Sequence, residues 1–131
     1  MCGIFGLIGK NRKNLSFINS LSKHAKRRGS DSSGIMLFQD EYLVQRADFD
    51  ISTLIKGLKN NNPEMFLGIG RLITNDNYAN QPFLSDNICV FHNGIVVNDN
   101  EVFEKEKLKR ISNLDTEVFY ALVKKYSKDI Y

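Results

Sequence analysis

The sequence is poor in the residue types that build disulfide frameworks and metal centres. It has two cysteines, Cys2 and Cys89, in 131 residues, fewer than a small secreted domain held by disulfides would carry. His24 and His92 are the only histidines, so we expect neither a metal site nor a cofactor. Cys89 lies within an apolar run and is expected to be an inert core thiol.

The sequence also lacks long apolar runs and a strong excess of one charge. Its 18 basic and 15 acidic residues give a net charge of +3, which is too balanced to indicate a nucleic-acid partner. No apolar run approaches the ~20 residues that cross a bilayer. The first ten residues, MCGIFGLIGK, lack the basic start and cleavage site of a signal peptide. We therefore expect a cytoplasmic protein of one domain, with free thiols and no membrane partner.

Two kinds of periodicity predict the secondary structure. The predicted strands are 2–8 (buried), 34–38, 42–46, 65–71 and 87–91, and the predicted helices are 15–27, a short one capped by Asp50, and 115–125. Residues 72–86 are predicted to form a loop. Asn93-Gly94 is predicted to turn a second hairpin between 87–91 and 95–97. The pattern indicates antiparallel hairpins with helices between them, and leaves parallel crossovers open.

Cys2 combines two reactive groups if the residue before it is removed. Aminopeptidases remove an initiator methionine when a small residue follows, and cysteine qualifies. The new first residue would then carry a nucleophilic thiol together with an α-amine. That amine titrates near pH ~8 in peptides, so it can act as the base. Position alone instead favours a small buried residue at the start of a strand.

Six segments, in order, resemble motifs of the class II glutamine amidotransferases, such as glucosamine-6-phosphate synthase, amidophosphoribosyltransferase and asparagine synthetase. They are MCGIFG from residue 1, RRGSDSSG from 27, GIGR from 68, ANQPF from 79, FHNG from 91 and SNLDTE from 112. The resemblance implies an α+β fold, the αββα sandwich of antiparallel sheets flanked by helices that N-terminal-nucleophile (Ntn) hydrolases share, in truncated or minimal form. It also implies that residues 1–131 are one glutaminase domain without an acceptor domain.

The resemblance assigns the catalytic roles to three residues. Cys2 would be the nucleophile. The side-chain amide of Asn93 and the backbone N–H of Gly94 would stabilise the oxyanion, a task that needs two fixed donors. Taken alone, Asn93-Gly94 is also an ordinary hairpin turn, and both interpretations can hold together.

Substrate-binding roles follow from the same resemblance. Arg71 would hold the α-carboxylate of glutamine through two parallel hydrogen bonds, and Asp115 would take the α-ammonium. Without the family, Arg71 could be a surface residue at a strand end and Asp115 a helix N-cap. Leu72, Thr74 and Asn75 complete the expected substrate-binding set, with Arg28 supporting the nucleophile loop and Asp31 in a structural role.

The implied function is hydrolysis of the glutamine side-chain amide through a Cys2 thioester. Ammonia would pass to an acceptor on a separate synthetase or aminotransferase subunit. Two departures weaken the match: Ile69 replaces a histidine of the GH-x-R motif, and Asn75 stands where the sugar synthases carry another. They leave open a weak or inactive glutamine-binding or docking module. An Ntn hydrolase acting on a different amide is a further alternative.

Overall fold

The computed structural model describes residues 2–9, 14–58, 63–73 and 80–127, and the elements below lie in these ranges. The strands are β1 (Gly3–Ile8), β2 (Ser32–Phe38), β3 (Tyr42–Ala47), β4 (Met65–Arg71), β5 (Phe83–Ser85) and β6 (Ile88–Val90). The helices are α1 (Asn14–Arg28), α2 (Ile51–Lys56), α3 (Asp99–Lys105) and α4 (Glu117–Tyr126). No helix in the described ranges has the length and apolar character needed to cross a membrane.

A four-stranded antiparallel sheet forms the first half of the molecule, in the order β1-β4-β2-β3. Alternate residues of its strands face α1 and α2, as the period of two predicts. Ile35, Phe66 and Ile18 are buried in the resulting core. The side chain of Asp50 accepts hydrogen bonds from the first turn of α2, which confirms the predicted cap.

A two-stranded sheet and two helices form the second half. β5 pairs with β6, and α4 packs against both strands. Phe83, Phe103 and Val118 belong to a second hydrophobic cluster that is separate from the first. Antiparallel strands with helices packed on them confirm the predicted α+β class, and every strand pair in the described ranges is antiparallel.

Three local predictions were wrong. The predicted loop 72–86 contains β5, which turns into β6 at Asp86-Asn87, with Asp86 in the left-handed region at φ 49°. The predicted hairpin at Asn93-Gly94 is absent, because residues 95–97 form no strand. β1 is an edge strand rather than a buried one, so Ile8 is 81% exposed.

Candidate active site

A cavity of about 480 Å³ opens between the two halves and is lined mainly by polar atoms. Its walls come from distant parts of the chain. The residues that line it are Cys2, Arg71, Leu72, Gln81, Gly94, Ile95, Val96, Asp99, Asn100, Arg110, Asn113, Leu114 and Asp115. A thiol, a guanidinium and a carboxylate therefore face one space.

The pairing of β1 with β4 brings Cys2 and Arg71 to this cavity. Gly3 lies opposite Gly70 in an antiparallel pair, so the residue before Gly3 and the residue after Gly70 emerge at the same end of the sheet. Arg71 is oriented by a hydrogen bond from Nη1 to Oδ1 of Asn80, at 3.3 Å. Sheet register thus fixes the thiol and the guanidinium on one side.

The end of α1 supports the same corner. Arg28 Nε donates to the backbone carbonyl of Cys2 at 3.2 Å, which is the contact a supporting role requires. Gly29 lies against the Arg71–Leu72 peptide, where a β-carbon would be 2.5 Å from the Leu72 nitrogen. The carboxylate of Asp31 accepts the Ile73 N–H at 2.9 Å, a contact that fits the structural role expected for Asp31.

Gly94, Ile95 and Val96 also line the cavity, and they belong to a segment, 91–96, without regular secondary structure. The buried Gln81 accepts the backbone N–H of His92 through Oε1 at 2.8 Å. Two residues further on, Gly94 reaches the cavity. A β-carbon at Gly94 would lie 2.8 Å from Nε2 of His92, so only glycine fits beside that ring.

Asp115 reaches the cavity just before α4 begins. The helix starts at Glu117 with Thr116 as its N-cap, so the alternative of Asp115 as the cap is wrong. Oδ2 of Asp115 instead accepts the Val96 N–H at 2.8 Å. This bond joins the Asp115 segment to the Gly94 segment and leaves Val96 unavailable for a strand.

Asp99 and Arg110 form a charged pair that also lines the cavity. Hydrogen bonding from Arg110 holds the pKa of the Asp99 carboxyl below its ordinary value of 3.8, because the charged form is stabilised. Arg110 also donates to the side chain of Asn100 and to the backbone carbonyl of Ser112. The opposite charges of Asp99 and Arg110 therefore neutralise each other within the cavity wall.

Sequence comparison finds several enzymes that resemble this chain over nearly its whole length. The glutamine–fructose-6-phosphate aminotransferase (isomerizing) of Campylobacter jejuni is 32% identical over 99% of the chain, and that of Thermotoga maritima is 37% identical over 94%. A 7-cyano-7-deazaguanine synthase of Saccharolobus solfataricus is 28% identical over 95%. No family model matches the chain.

The chain belongs to the class II glutamine amidotransferases. It spans 23%, 22% and 30% of the length of these three relatives. In the solved structures, a glutamine phosphoribosylpyrophosphate amidotransferase from B. subtilis matches 95% of the chain with a TM-score of 0.64 at 21% identity, covering 29% of that protein. This match confirms the predicted Ntn-hydrolase fold.

The amidotransferase fold brings together five of the residues predicted for the site. They are Cys2, Arg71, Leu72, Gly94 and Asp115. Asn93 is exposed and does not line the cavity, although its neighbour Gly94 does. Thr74 and Asn75 lie outside the described residues. The roles of all these residues stay predictions.

Sequence reasoning missed the residues that orient this amidotransferase site. Asn80 and Gln81 stand in the ANQPF segment that carries part of the resemblance, yet the motif alone assigns neither a role. Nδ2 of Asn80 donates to the carbonyls of Ser33 and Ala47, at 3.2 and 2.9 Å. Arg110 and Asp99 were missed because no motif includes them, and their pairing depends on the fold.

Ile69, which replaces the motif histidine, is fully buried in β4. In the described part of this amidotransferase, no three His, Cys, Asp or Glu side chains are grouped closely enough to hold a metal. Cys89 lies in β6 but is only partly buried and belongs to neither core cluster, so the prediction of a core thiol was wrong. Partial burial still raises the pKa of its thiol, which keeps the thiol protonated at neutral pH.

Proposed function

We propose that this chain hydrolyses the side-chain amide of glutamine through a thioester on Cys2. The observation that supports it best is that Cys2 shares one cavity with Arg71 and Asp115. A guanidinium and a carboxylate are the partners that the α-carboxylate and α-ammonium of an amino acid need. An acyl amide without that zwitterionic head would leave both groups unused, so the site suits glutamine better than a general amide.

In the proposed mechanism, removal of Met1 leaves Cys2 with a free α-amine. The amine takes the thiol proton, and the thiolate attacks the side-chain carbonyl carbon of glutamine. Gly94 N–H and the Asn93 amide stabilise the oxyanion, which requires Asn93 to turn into the cavity when substrate binds. The protonated amine gives its proton to the departing nitrogen, so ammonia leaves and a thioester remains.

Water then completes the reaction. The same α-amine takes a proton from water, the resulting hydroxide adds to the thioester carbonyl, and the C–S bond breaks. The thiol recovers its proton and glutamate leaves. The sum is glutamine plus water giving glutamate plus ammonia.

The ammonia has to reach an acceptor before it is protonated in bulk water, where ammonium is not a nucleophile. Two of the relatives are glutamine–fructose-6-phosphate aminotransferases, and this chain spans less than a quarter of the length of each. We propose that a synthetase or aminotransferase unit receives the ammonia.

The decisive experiment replaces the nucleophile. Cys2→Ala should reduce glutaminase turnover, measured as glutamate and ammonia released, to the uncatalysed background. Cys89→Ala is the matched control because its thiol lies outside the cavity, and it should keep turnover. Unchanged turnover in Cys2→Ala would exclude the thioester.

Intact mass spectrometry tests the free amino terminus. After incubation with 6-diazo-5-oxonorleucine, a glutamine-like electrophile, the protein should lack Met1 and carry one adduct on Cys2. Isothermal titration with glutamine separates an enzyme from a binding module, because the module would bind glutamine without turnover.

A further inference from the structure

His92 lies beside Asp115 and Gly94, just outside the cavity lining, and has no role in the mechanism above. Its backbone N–H is held by Gln81, and its ring packs on Phe119 with 4.9 Å between ring centroids. Its side chain is only 16% exposed. The ring therefore packs on α4, and its Nε2 atom lies beside Gly94.

One nitrogen of this ring is buried without a hydrogen bond. Nδ1 of His92 makes no hydrogen bond to any residue that the structure describes. A carboxylate oxygen, Oδ2 of Asp115, lies 3.8 Å from it. Buried donors that stay unpaired are costly, so a movement of roughly 0.6–1 Å that brings these two atoms to hydrogen-bond distance would be favourable.

A second hydrogen bond from His92 would restrict the orientation of the Asp115 carboxylate. Its Oδ2 already accepts the Val96 N–H at 2.8 Å, and an added bond from Nδ1 would hold the same oxygen from a second direction. The other oxygen, Oδ1, which accepts the Thr116 hydroxyl at 3.4 Å, would then keep a fixed direction toward a ligand. Hydrogen bonds in a catalytic site are often long when it is empty and shorten when substrate binds.

We propose that His92 is a positioning residue for Asp115. In the tautomer with hydrogen on Nδ1, it donates to Asp115 and orients that carboxylate toward the α-ammonium of the bound amino acid. This inference rests on the proposed function, since it assumes that Asp115 binds an ammonium group. It assigns His92 to substrate affinity and leaves the chemical step to Cys2.

Glutamine binding is measured by titration calorimetry in a Cys2→Ala background, so that turnover does not interfere. His92→Phe keeps the ring on Phe119 but removes Nδ1, and it should raise the Kd about tenfold, as expected for a hydrogen bond to a charged group. His92→Asn, whose amide nitrogen reaches about as far as Nδ1, should restore most of the affinity. The exposed His24→Asn is the control and should bind as the parent does.

Steady-state kinetics in the Cys2 protein gives the second measurement. His92→Phe should raise the glutamine KM about tenfold with kcat changed less than about threefold, the pattern for an interaction made equally in the ground and transition states. Equal affinity of the Phe and parent proteins overturns the inference, and so does equal loss in the Phe and Asn variants. If the Cys2→Ala parent itself binds no glutamine, the proposed function fails and this inference fails with it.

Discussion

Glu117 is a fully buried carboxylate, and it orders the segment that presents Asp115. Its oxygens accept the N–H groups of Ile111 and Ser112 and the Ser112 hydroxyl, at 2.6 to 2.7 Å. A buried charge is tolerated only when such donors replace water. Glu117 thereby ties the chain before Asp115 to the first turn of α4.

Glu117→Gln should lower the free energy of unfolding by about 1–3 kcal/mol, because an amide keeps one acceptor oxygen and sets an NH₂ group against donors. Urea denaturation measures the loss. Glu101→Gln, on an exposed position of α3, is the matched control and should change little. Equal stability of the two variants would show that the buried charge contributes nothing.

At the residue scale, the sequence predicted the groups that face the cavity better than the groups behind them. Cys2, Arg71 and Asp115 stand in short motifs whose chemistry can be argued from residue type. Asn80 acts through contacts with Ser33 and Ala47, which lie 47 and 33 positions earlier in the chain. Contacts between such distant positions leave no local signal in the sequence.

The end of α1 approaches β4 more closely than any side chain would allow. Gly29 lies on the Arg71–Leu72 peptide, and Gly70 lies against the Gly29 carbonyl, where a β-carbon on Gly70 would be 2.7 Å from that oxygen. This close approach places Arg28 beside Cys2. Helix α1 and the cavity corner are consequently one packing unit.

Gly29→Ala should destabilise the fold by about 1–3 kcal/mol, as overpacking against backbone does. It should also raise the glutamine KM, because Arg71 and Leu72 must shift. Gly57→Ala is the control: Gly57 has φ −74°, which alanine adopts, and its β-carbon would lie 3.3 Å from the Leu54 carbonyl oxygen, so stability should change far less than at Gly29. Thermal unfolding together with glutaminase assays compares the two, and an unaffected Gly29→Ala protein would contradict the packing argument.

α3 is joined to the chain before α4 by the Asp99–Arg110 pair. The pKa of Asp99 in the folded protein lies below its ordinary value of 3.8, so folding favours the charged form. The stability that this pair adds is complete above the unfolded pKa. It disappears as the pH falls through the lower, folded pKa.

Asp99→Asn should therefore reduce stability at neutral pH and flatten the acid side of the stability curve below about pH 4. Urea midpoints across that range give the slopes. The exposed Glu104→Gln should leave the slope of the parent in place. If Asp99→Asn keeps the parental slope of stability against pH, the lowered pKa of Asp99 does not contribute to the acid dependence of stability.

At the element scale, long periodic segments were predictable and short ones were not. Helix α1 and strand β4 have enough residues for their period to be read, whereas β5 has three. Asn93-Gly94 is typical of a hairpin, yet the Val96 N–H bonds to Asp115 instead of to a neighbouring strand. A contact between distant segments replaced the local preference.

Within the ranges that the structure describes, the molecule has two hydrophobic cores that are consecutive in sequence. The first cluster uses residues up to Phe66 and the second begins at Phe83. Asn80 lies between them in sequence, and its side chain bonds to the first half, at β2 and at Arg71. The cavity lies where the two halves meet, and its lining includes Gln81, the residue after Asn80. The shape of the cavity therefore depends on how Asn80 is held.

Asn80→Ala should cost about 1–3 kcal/mol of unfolding free energy, because the backbone carbonyls it serves lose a donor. It should also weaken glutamine binding, since Arg71 loses its partner Oδ1. Chemical denaturation and calorimetric titration test both effects. Asn19→Ala, on the exposed side of α1, should show neither effect. If Asn80→Ala also changes neither stability nor glutamine binding, Asn80 does not hold Arg71 in place.

The cavity is lined by Arg71 from the first half of the molecule and by Asp115 from the second half. A small molecule that binds the Arg71 guanidinium at one end and the Asp115 carboxylate at the other would link the two halves of the protein. Occupancy would then be visible as heat resistance: ligand at a hundred times its Kd adds about 2.7 kcal/mol to the folded state. The melting temperature of this protein would consequently serve as a gauge of the free amino acid around it.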